Sequence, residues 1–250
     1  MKEDYIIVSD PVSKFAVEIA SMQDESKSIK LNLPVSQAVI EDTLEQLTGK
    51  KDGTEYVLLE GECPYFEITR HDELPLLNKI SEISCRLTND ERVLLKNWCD
   101  HWEKDFCTDL TEISNAALQM NKVLYVEGIQ SFEELGKAIV VTTNLFPELE
   151  QNGVLPKIEK NISNYIDFEA IGRDYDLLGE GTNYPMMIGE KVLGYVLDDS
   201  EVDPQKFTKE QLMETDTEKL MFQSKDFIKE SFGEMQKKNK QRDKNFMLER

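Results

Sequence analysis

Residues 164–177 read Asn164-Tyr165-Ile166-Asp167-Phe168-Glu169-Ala170-Ile171-Gly172-Arg173-Asp174-Tyr175-Asp176-Leu177 and interleave apolar side chains with carboxylates. Ile166, Ala170 and Ile171 recur at helical spacing. Tyr175 extends the same side, so we expect one face of a helix to pack against a core. The other faces carry the carboxylates of Asp167, Glu169, Asp174 and Asp176. Taken alone, this pattern is typical of an amphipathic helix with solvated acids.

The uneven distribution of charge is the strongest signal in the composition. The 250-residue chain has 29 Lys and Arg against 49 Asp and Glu, a formal net charge of −20. Residues 201–250 contain 11 basic and 11 acidic side chains, which leaves 18 basic and 38 acidic ones in residues 1–200. The phosphates of a nucleic acid would be repelled by the acidic residues 1–200. We therefore expect no direct binding of nucleic acid there, and a partner with a basic surface.

Sequence motifs for catalysis and for cofactor binding are absent. The chain has no P-loop, no GxGxxG after a strand, no HExxH and no GxSxG. Cys99, His101 and Cys107 match no standard zinc spacing, and no CxxC pair occurs. The sequence thus predicts a protein that is not an enzyme and has no cofactor or metal. The four cysteines are expected to be buried, reduced thiols.

The chain has no sequence signal for a membrane or for export. No run of about 18 apolar residues occurs. Residues 1–5 also lack the basic region and the long apolar stretch of a signal peptide. We therefore expect a cytoplasmic protein without a membrane partner.

Hydrophobic periodicity predicts an α+β chain of three small domains and an extension. The N-terminal α+β domain covers residues 1–70. It should contain a helix that starts at Ser36, with Val39, Ile40, Leu44 and Leu47 buried, and a polar loop from Met22 to Ser28. The C-terminal α+β domain covers residues 122–200 and has a capping box at Ser131–Glu134.

A helical domain over residues 71–121 is predicted between the two α+β domains. Thr88 to Glu91 is a capping box that opens one of its helices. Trp98 and Trp102 lie one turn apart on the apolar side of that helix, which favours a place in the core over stacking on bases. A helical extension covers residues 201–250, with caps at Thr208 and Asp216. An amphipathic helix of this length needs a surface to pack on.

Residues 164–177 resemble the YIDYEAYGRDL-type signature of the ArdA antirestriction proteins of conjugative plasmids and transposons. Phe168 and Ile171 stand where that family usually has aromatic residues. Residues 133–138 and a glycine-containing hairpin after the signature are also similar to the family. The resemblance spans about residues 29–197, and residues 198–250 depart from the usual pattern.

Membership in this family would imply an elongated homodimer of three-domain chains that mimics B-form DNA. Such a mimic occupies the DNA-binding groove formed by the specificity and modification subunits of type I restriction–modification enzymes. It thereby protects incoming mobile DNA. Duplex DNA carries one charge per about 1.7 Å, so a charge of −20 matches roughly 34 Å of duplex per chain.

Carboxylates on expected solvent faces form the candidate DNA-mimic surface. They are Glu41, Asp42, Glu45, Asp90, Glu91, Asp100, Glu103, Asp109, Glu133, Glu134, Asp167, Glu169, Asp174 and Asp176. Arg173 is expected to have a structural role, as an ion-pair partner of carboxylates in this surface.

Two other functions fit the same charge pattern. The first is a DNA mimic directed at another basic DNA-binding protein, such as a CRISPR effector, another defence nuclease or a chromatin-type protein. The second is a non-enzymatic acidic scaffold or chaperone that recruits a partner through the C-terminal helix within residues 201–250. The first requires the acidic body, whereas the second requires the extension.

Overall fold

The structure, a computed structural model, describes residues 15–103, 109–142, 166–178, 183–189 and 191–224. These residues form helices and small antiparallel sheets, which confirms the α+β class. The chain divides into two compact units, which we call unit 1 (residues 1–121 and 203–250) and unit 2 (residues 122–202). The division into three domains and an extension stays a prediction.

Unit 1 begins with a three-stranded antiparallel sheet. Its strands are β1 (Ala16–Ser21), β2 (Asp24–Asn32) and β3 (Tyr56–Glu62), in the order β2-β1-β3. The polar loop predicted from Met22 to Ser28 is wrong, because β2 starts at Asp24 and pairs with β1. Its side chains from Asp24 to Ser28 are exposed, so backbone pairing at the sheet edge holds this part of β2 without apolar burial.

Helix α1 (Gln37–Thr48) follows β2 and packs on the sheet through Ile40 and Leu44. It starts after Ser36 as predicted, although the Ser36 side chain makes no capping hydrogen bond. It ends at Gly49, whose φ of 77° is a left-handed conformation that favours glycine. The prediction that Val39 is buried is wrong, since 40% of this residue is exposed.

The helices of unit 1 are α2 (Leu74–Ser84), α3 (Asn89–Glu103) and α4 (Leu110–Ala117), followed by a 3₁₀ turn at Met120–Lys122. The capping box at the start of α3 is confirmed, because Thr88 and Glu91 bond each other's backbone N–H. Trp98 is buried, as predicted, whereas Trp102 is half-buried beside it.

Unit 2 combines a second antiparallel sheet with a pair of helices. The elements in chain order are β4 (Leu124–Glu127), α5 (Phe132–Thr142), α6 (Phe168–Leu178), β5 (Tyr184–Ile188) and β6 (Lys191–Asp198), and the strand order is β4-β6-β5. The core contains Ile129, Leu135 and Ile139 below α5 together with Tyr195 and Leu197 of β6. In the predicted capping box, the Glu134 N–H donates to Ser131 Oγ, but the Glu134 carboxylate accepts from Gln130 N–H.

After unit 2 the chain returns to unit 1 as residues 203–224, which we call the return segment. It contains α7 (Lys209–Glu214) and a further helical stretch at residues 217–224. Both predicted caps are confirmed: Thr208 forms a capping box with Gln211, and Asp216 accepts from the N–H of Glu218 at 2.8 Å. The part of the predicted extension from residue 225 onward lies outside the described residues.

Candidate acidic partner-binding surface

Helix α6 contains the described part of the signature stretch, and one of its faces packs against the core of unit 2. Ile171 and Tyr175 contact that core, and the Tyr175 hydroxyl donates to the Leu197 carbonyl at 2.6 Å. Gly172 is buried, whereas Ala170 is exposed, so the prediction that Ala170 packs is wrong. Ala170 lies two residues from Gly172 and therefore points to the opposite side of the helix. Residues 164 and 165 lie outside the described residues.

Two glycines allow α5 and α6 to approach each other backbone to backbone. A Cβ atom added to Gly136 would overlap the carbonyl oxygen of Phe168, and one added to Gly172 would overlap that of Phe132. Each added Cβ would also lie 3.0 Å from the backbone nitrogen of the other glycine. Glycine is therefore required at both positions for this helix crossing.

The two helices repeat a six-residue pattern around the crossing. Residues 132–137 read Phe-Glu-Glu-Leu-Gly-Lys and residues 168–173 read Phe-Glu-Ala-Ile-Gly-Arg. The cation of each pattern pairs with the glutamate four residues before it, Lys137 with Glu133 and Arg173 with Glu169. The periodicity analysis of single helices missed this repeat, which comparison of the two segments would have found.

Each cation of the repeat also lies over the phenylalanine of the other helix. Lys137 Nζ is 5.8 Å from the ring centroid of Phe168, and Arg173 Cζ is 6.0 Å from that of Phe132. A cation over a ring face is attracted to the ring quadrupole. The two basic residues thus reduce the repulsion between two acidic helices exactly where their backbones are closest.

None of the predicted surface carboxylates with a described side chain is buried. Glu41, Glu91, Asp100 and Asp176 are half-buried. The exposed ones are Asp42, Glu45, Asp90, Asp109, Glu133, Glu134, Asp167, Glu169 and Asp174. The side chain of Glu103 lies outside the described residues.

Some of these carboxylates have partners within the protein. Besides the two pairs of the helix repeat, Asp100 pairs with Lys96. Others accept backbone N–H groups at helix starts, as Asp109 does from Glu112 and Asp167 does from Ala170, both at 2.9 Å. Caps of this kind stabilise helices and leave the negative charge in place.

Four of the predicted carboxylates are exposed and, within the described part of the chain, have neither a hydrogen-bond nor an ion-pair partner. Asp42 and Glu45 lie on α1, Asp90 lies in the first turn of α3, and Asp174 lies on α6. Their full charge faces solvent, so they are the members of the set best suited to meet a basic partner.

Asp176 has a structural role that the sequence analysis missed. It accepts a hydrogen bond from the Tyr195 hydroxyl of β6. Burial, reinforced by the Asp176 carboxylate, raises the pKa of Tyr195. Asp176 follows Gly172 by four residues, so the two lie on the same side of α6, but no signal in the sequence identifies Tyr195 as its partner.

Further carboxylates on the sheet of unit 1 were not among the candidates. Glu18 of β1 accepts from Ser28 and pairs with Lys30 at 3.0 Å. These two partners hold the pKa of Glu18 below its ordinary value. Glu25 of β2 pairs with Arg70. The error over residues 22–28 placed Glu25 in a loop, whereas Glu18 lies on the central strand β1 and was not among the candidates.

The described residues offer little for redox, metal or covalent chemistry. Cys99 is buried and Cys63 half-buried, but Cys85 is exposed at the end of α2, which corrects the expectation of buried thiols. Cys107 lies outside the described residues. Burial raises the pKa of the Cys63 thiol to about 11, so it stays protonated at neutral pH. Among the described side chains, no group of three or more His, Cys, Asp or Glu is arranged to hold a metal ion.

None of the helices within the described ranges combines the length and apolarity needed to cross a membrane.

Comparison with known families finds one that matches most of the chain. A family model described as antirestriction protein (ArdA) matches residues 26–186. No curated protein matches the sequence. The matched residues include α1, α3 and α6, which carry the four unpartnered carboxylates.

Proposed function

The chain belongs to the ArdA antirestriction protein family, and we propose that it acts as a mimic of B-form DNA. In this proposal it occupies the DNA-binding groove of a type I restriction–modification enzyme, formed by the specificity and modification subunits. Incoming DNA is then neither bound nor cleaved, because the groove is already filled. The protein acts in the cytoplasm, where the incoming DNA meets the enzyme.

The observation that carries this proposal is a set of exposed carboxylates that lie on helices and have no partner among the residues that the structure describes. Asp42, Glu45, Asp90 and Asp174 all project from helices. A helix fixes the position of its side chains better than a loop does, and the whole chain has a formal net charge of −20. An array of fixed negative charges presents to a basic groove what DNA phosphates present.

Binding by such an array is distributed over many weak contacts. Each exposed carboxylate contributes a fraction of a kcal/mol in water and salt. Summed over the surface, these contacts steer association and compete with DNA, and both effects weaken as salt rises. The protein needs no catalytic group for this activity, because it inhibits by occupying the groove.

The family resemblance also supports the assembly that we propose. Two chains would form a homodimer whose charge corresponds to roughly twice 34 Å of duplex. Residues 1–70, 71–121 and 122–200 would contribute three successive domains to the mimic surface. A sedimentation or light-scattering measurement of mass tests the dimer, which requires about twice the chain mass of 28.9 kDa.

The function is tested by inhibition of purified nucleases at low salt. A type I enzyme, a CRISPR effector nuclease and a type II endonuclease would each cleave unmodified plasmid with increasing amounts of the protein. We expect loss of cleavage by the type I enzyme near stoichiometric protein, and little effect on the type II control. Inhibition of the CRISPR effector alone would support the alternative target, and no inhibition at all would refute DNA mimicry of a nuclease substrate.

A further inference from the structure

Buried side-chain amides of unit 1 pair with the backbone of the return segment. Asn115 of α4 donates to the Phe207 carbonyl at 2.9 Å and accepts from the Phe207 N–H at 2.9 Å. Gln119, four residues later, pairs in the same way with Asp203, at 2.8 and 3.4 Å. Both amides are fully buried. Each amide also donates to a carbonyl four residues before it, Asn115 to Thr111 and Gln119 to Asn115, and would keep that bond if the return segment left. It would lose the two bonds to the return segment, and the loss of hydrogen bonds by buried polar groups is costly.

Apolar side chains of the return segment complete the core of unit 1. Leu212 of α7 and Leu220 of the helical stretch at 217–224 are fully buried. Helix α7 packs against both α2 and α4. Burial of a leucine side chain is favourable because it removes apolar surface from water, so these two side chains stabilise the packing of the return segment on unit 1.

A buried lysine fixes the link between α7 and the last helical stretch. Lys79 of α2 is 8% exposed, and its Nζ donates to the Thr215 carbonyl at 3.2 Å and to the Thr217 hydroxyl at 3.3 Å. Glu82 lies 3.4 Å from the same Nζ and accepts from the Thr217 hydroxyl at 2.8 Å. The ion pair of Lys79 with Glu82 lies within α2. The two hydrogen bonds that Lys79 Nζ donates, to Thr215 and Thr217, form only with the return segment in place.

We propose that the face of unit 1 formed by α2 and α4 is a docking surface whose occupant is the return segment of the same chain. The surface recognises main chain at positions 203 and 207 through the two amides, and apolar side chains at positions 212 and 220. Unit 2 is then an insertion in unit 1, and unit 1 is complete only after the chain has passed through unit 2. The return segment lies beyond the family match at residues 26–186, whereas α2 and α4, which form the surface, lie within it.

This docking would also limit which residues of the extension could recruit a partner in the alternative function. Residues 203–224 would already be bound within unit 1. A recruiting segment would then have to lie within residues 225–250. The docking proposal does not depend on DNA mimicry, so either can fail without the other.

Hydrogen–deuterium exchange of the full chain tests the docking. The variant is Asn115→Ala/Gln119→Ala. The matched control is Asn78→Ala, because Asn78 of α2 is a buried amide that pairs in the same way with the backbone of Val35, at 2.8 and 3.1 Å. Asn78 also donates to Glu82, which accepts from Thr217, so the comparison uses residues 203–208 and not the residues around Thr217. We expect amide exchange of residues 203–208 to rise at least about tenfold in the double variant and to stay unchanged in the control.

Two results would overturn the proposal. One is wild-type exchange of residues 203–224 as fast as that of an unstructured peptide, and the other is equal protection in the double variant and the wild type. If the double variant does not fold, the single variant Gln119→Ala replaces it, and the amide exchange of residues 203–208 should then rise by a smaller factor. A chain that ends at Ser224 should keep full protection of residues 203–208, and loss of that protection would place the docking determinants elsewhere.

Discussion

Gly136 of α5 and Gly172 of α6 face each other so closely that a Cβ atom on either would lie 3.0 Å from the backbone nitrogen of the other. The same added atom would overlap a carbonyl oxygen of the facing helix. This crossing sets the separation of two acidic helices, and it joins residues that are 36 positions apart in sequence.

Replacement of Gly172 by alanine should push the two helices apart. We expect Gly172→Ala to lower the free energy of unfolding of unit 2 by about 2 kcal/mol or more, although alanine favours a helix by about 1 kcal/mol. Urea unfolding followed by circular dichroism measures the loss. Both tryptophans lie in unit 1, so their fluorescence follows that unit separately. Ala170→Val adds bulk at an exposed position of the same helix and should cost well under 1 kcal/mol. A wild-type transition for Gly172→Ala would contradict the close crossing.

Arg173 and Phe132 should be energetically coupled across the helix pair. We expect Arg173→Met and Phe132→Leu each to destabilise unit 2, with a double-mutant coupling of about 0.5 to 1 kcal/mol. The coupling arises because the guanidinium lies 6.0 Å from the ring centroid. Arg173→Lys should retain part of it. Additive effects in the double variant would show that the ring contact contributes nothing.

Loss of inhibition should be gradual as exposed carboxylates are neutralised. We expect Asp174→Asn alone to weaken inhibition of a type I enzyme by less than about twofold. The double variant Asp42→Asn/Glu45→Gln should weaken it by about three- to fivefold. Both effects are small because each exposed charge contributes a few tenths of a kcal/mol. The control Glu201→Gln/Glu214→Gln removes two exposed charges from residues 201–250, which are neutral overall. Its effect should stay within twofold. Abolition of inhibition by one acid-to-amide change would contradict a distributed surface.

The stability of unit 2 should fall at alkaline pH through Tyr195. Its pKa is raised by burial and by the Asp176 carboxylate, so the folded state keeps a proton that an unfolded tyrosine loses above about pH 10. The stabilisation is complete below about pH 10 and decreases as the pH rises further. Tyr195→Phe should be about 1 kcal/mol less stable at pH 8 and should lose less stability between pH 9 and 11. Urea unfolding at each pH measures the free energy of unfolding of both proteins. An equal loss of stability with pH in the wild type and in Tyr195→Phe would exclude Tyr195 as the cause.

Local patterns in the sequence predicted most of the regular structure. The capping residues at Thr88, Thr208 and Asp216 and the start of α1 after Ser36 are short-range signals, and all four were placed correctly. The start of β2 was missed, because an exposed edge strand has no apolar alternation and is held by its neighbour's backbone.

The long-range relationships required the structure. No periodicity in α6 shows that Gly172 meets Gly136, or that Asp176 binds Tyr195 of a strand. The hydrogen bonds to residues 203 and 207 come from the side-chain amides of Asn115 in α4 and Gln119 just after it, which look like ordinary polar residues in the sequence. The lack of burial of the acidic candidates was predictable, because solvent exposure follows helix periodicity, whereas their internal partners depend on tertiary contacts. Their role as a mimic surface stays a prediction.

The most direct test of DNA mimicry is displacement of DNA from its binding site. A purified type I methyltransferase core would be saturated with its labelled cognate duplex and titrated with this protein at about 50 and 200 mM salt. We predict stoichiometric displacement at the lower salt, and markedly weaker binding of the protein itself to the core at the higher salt. A folded protein that leaves the duplex bound at the lower salt, or that binds the core together with the duplex, would contradict mimicry of DNA.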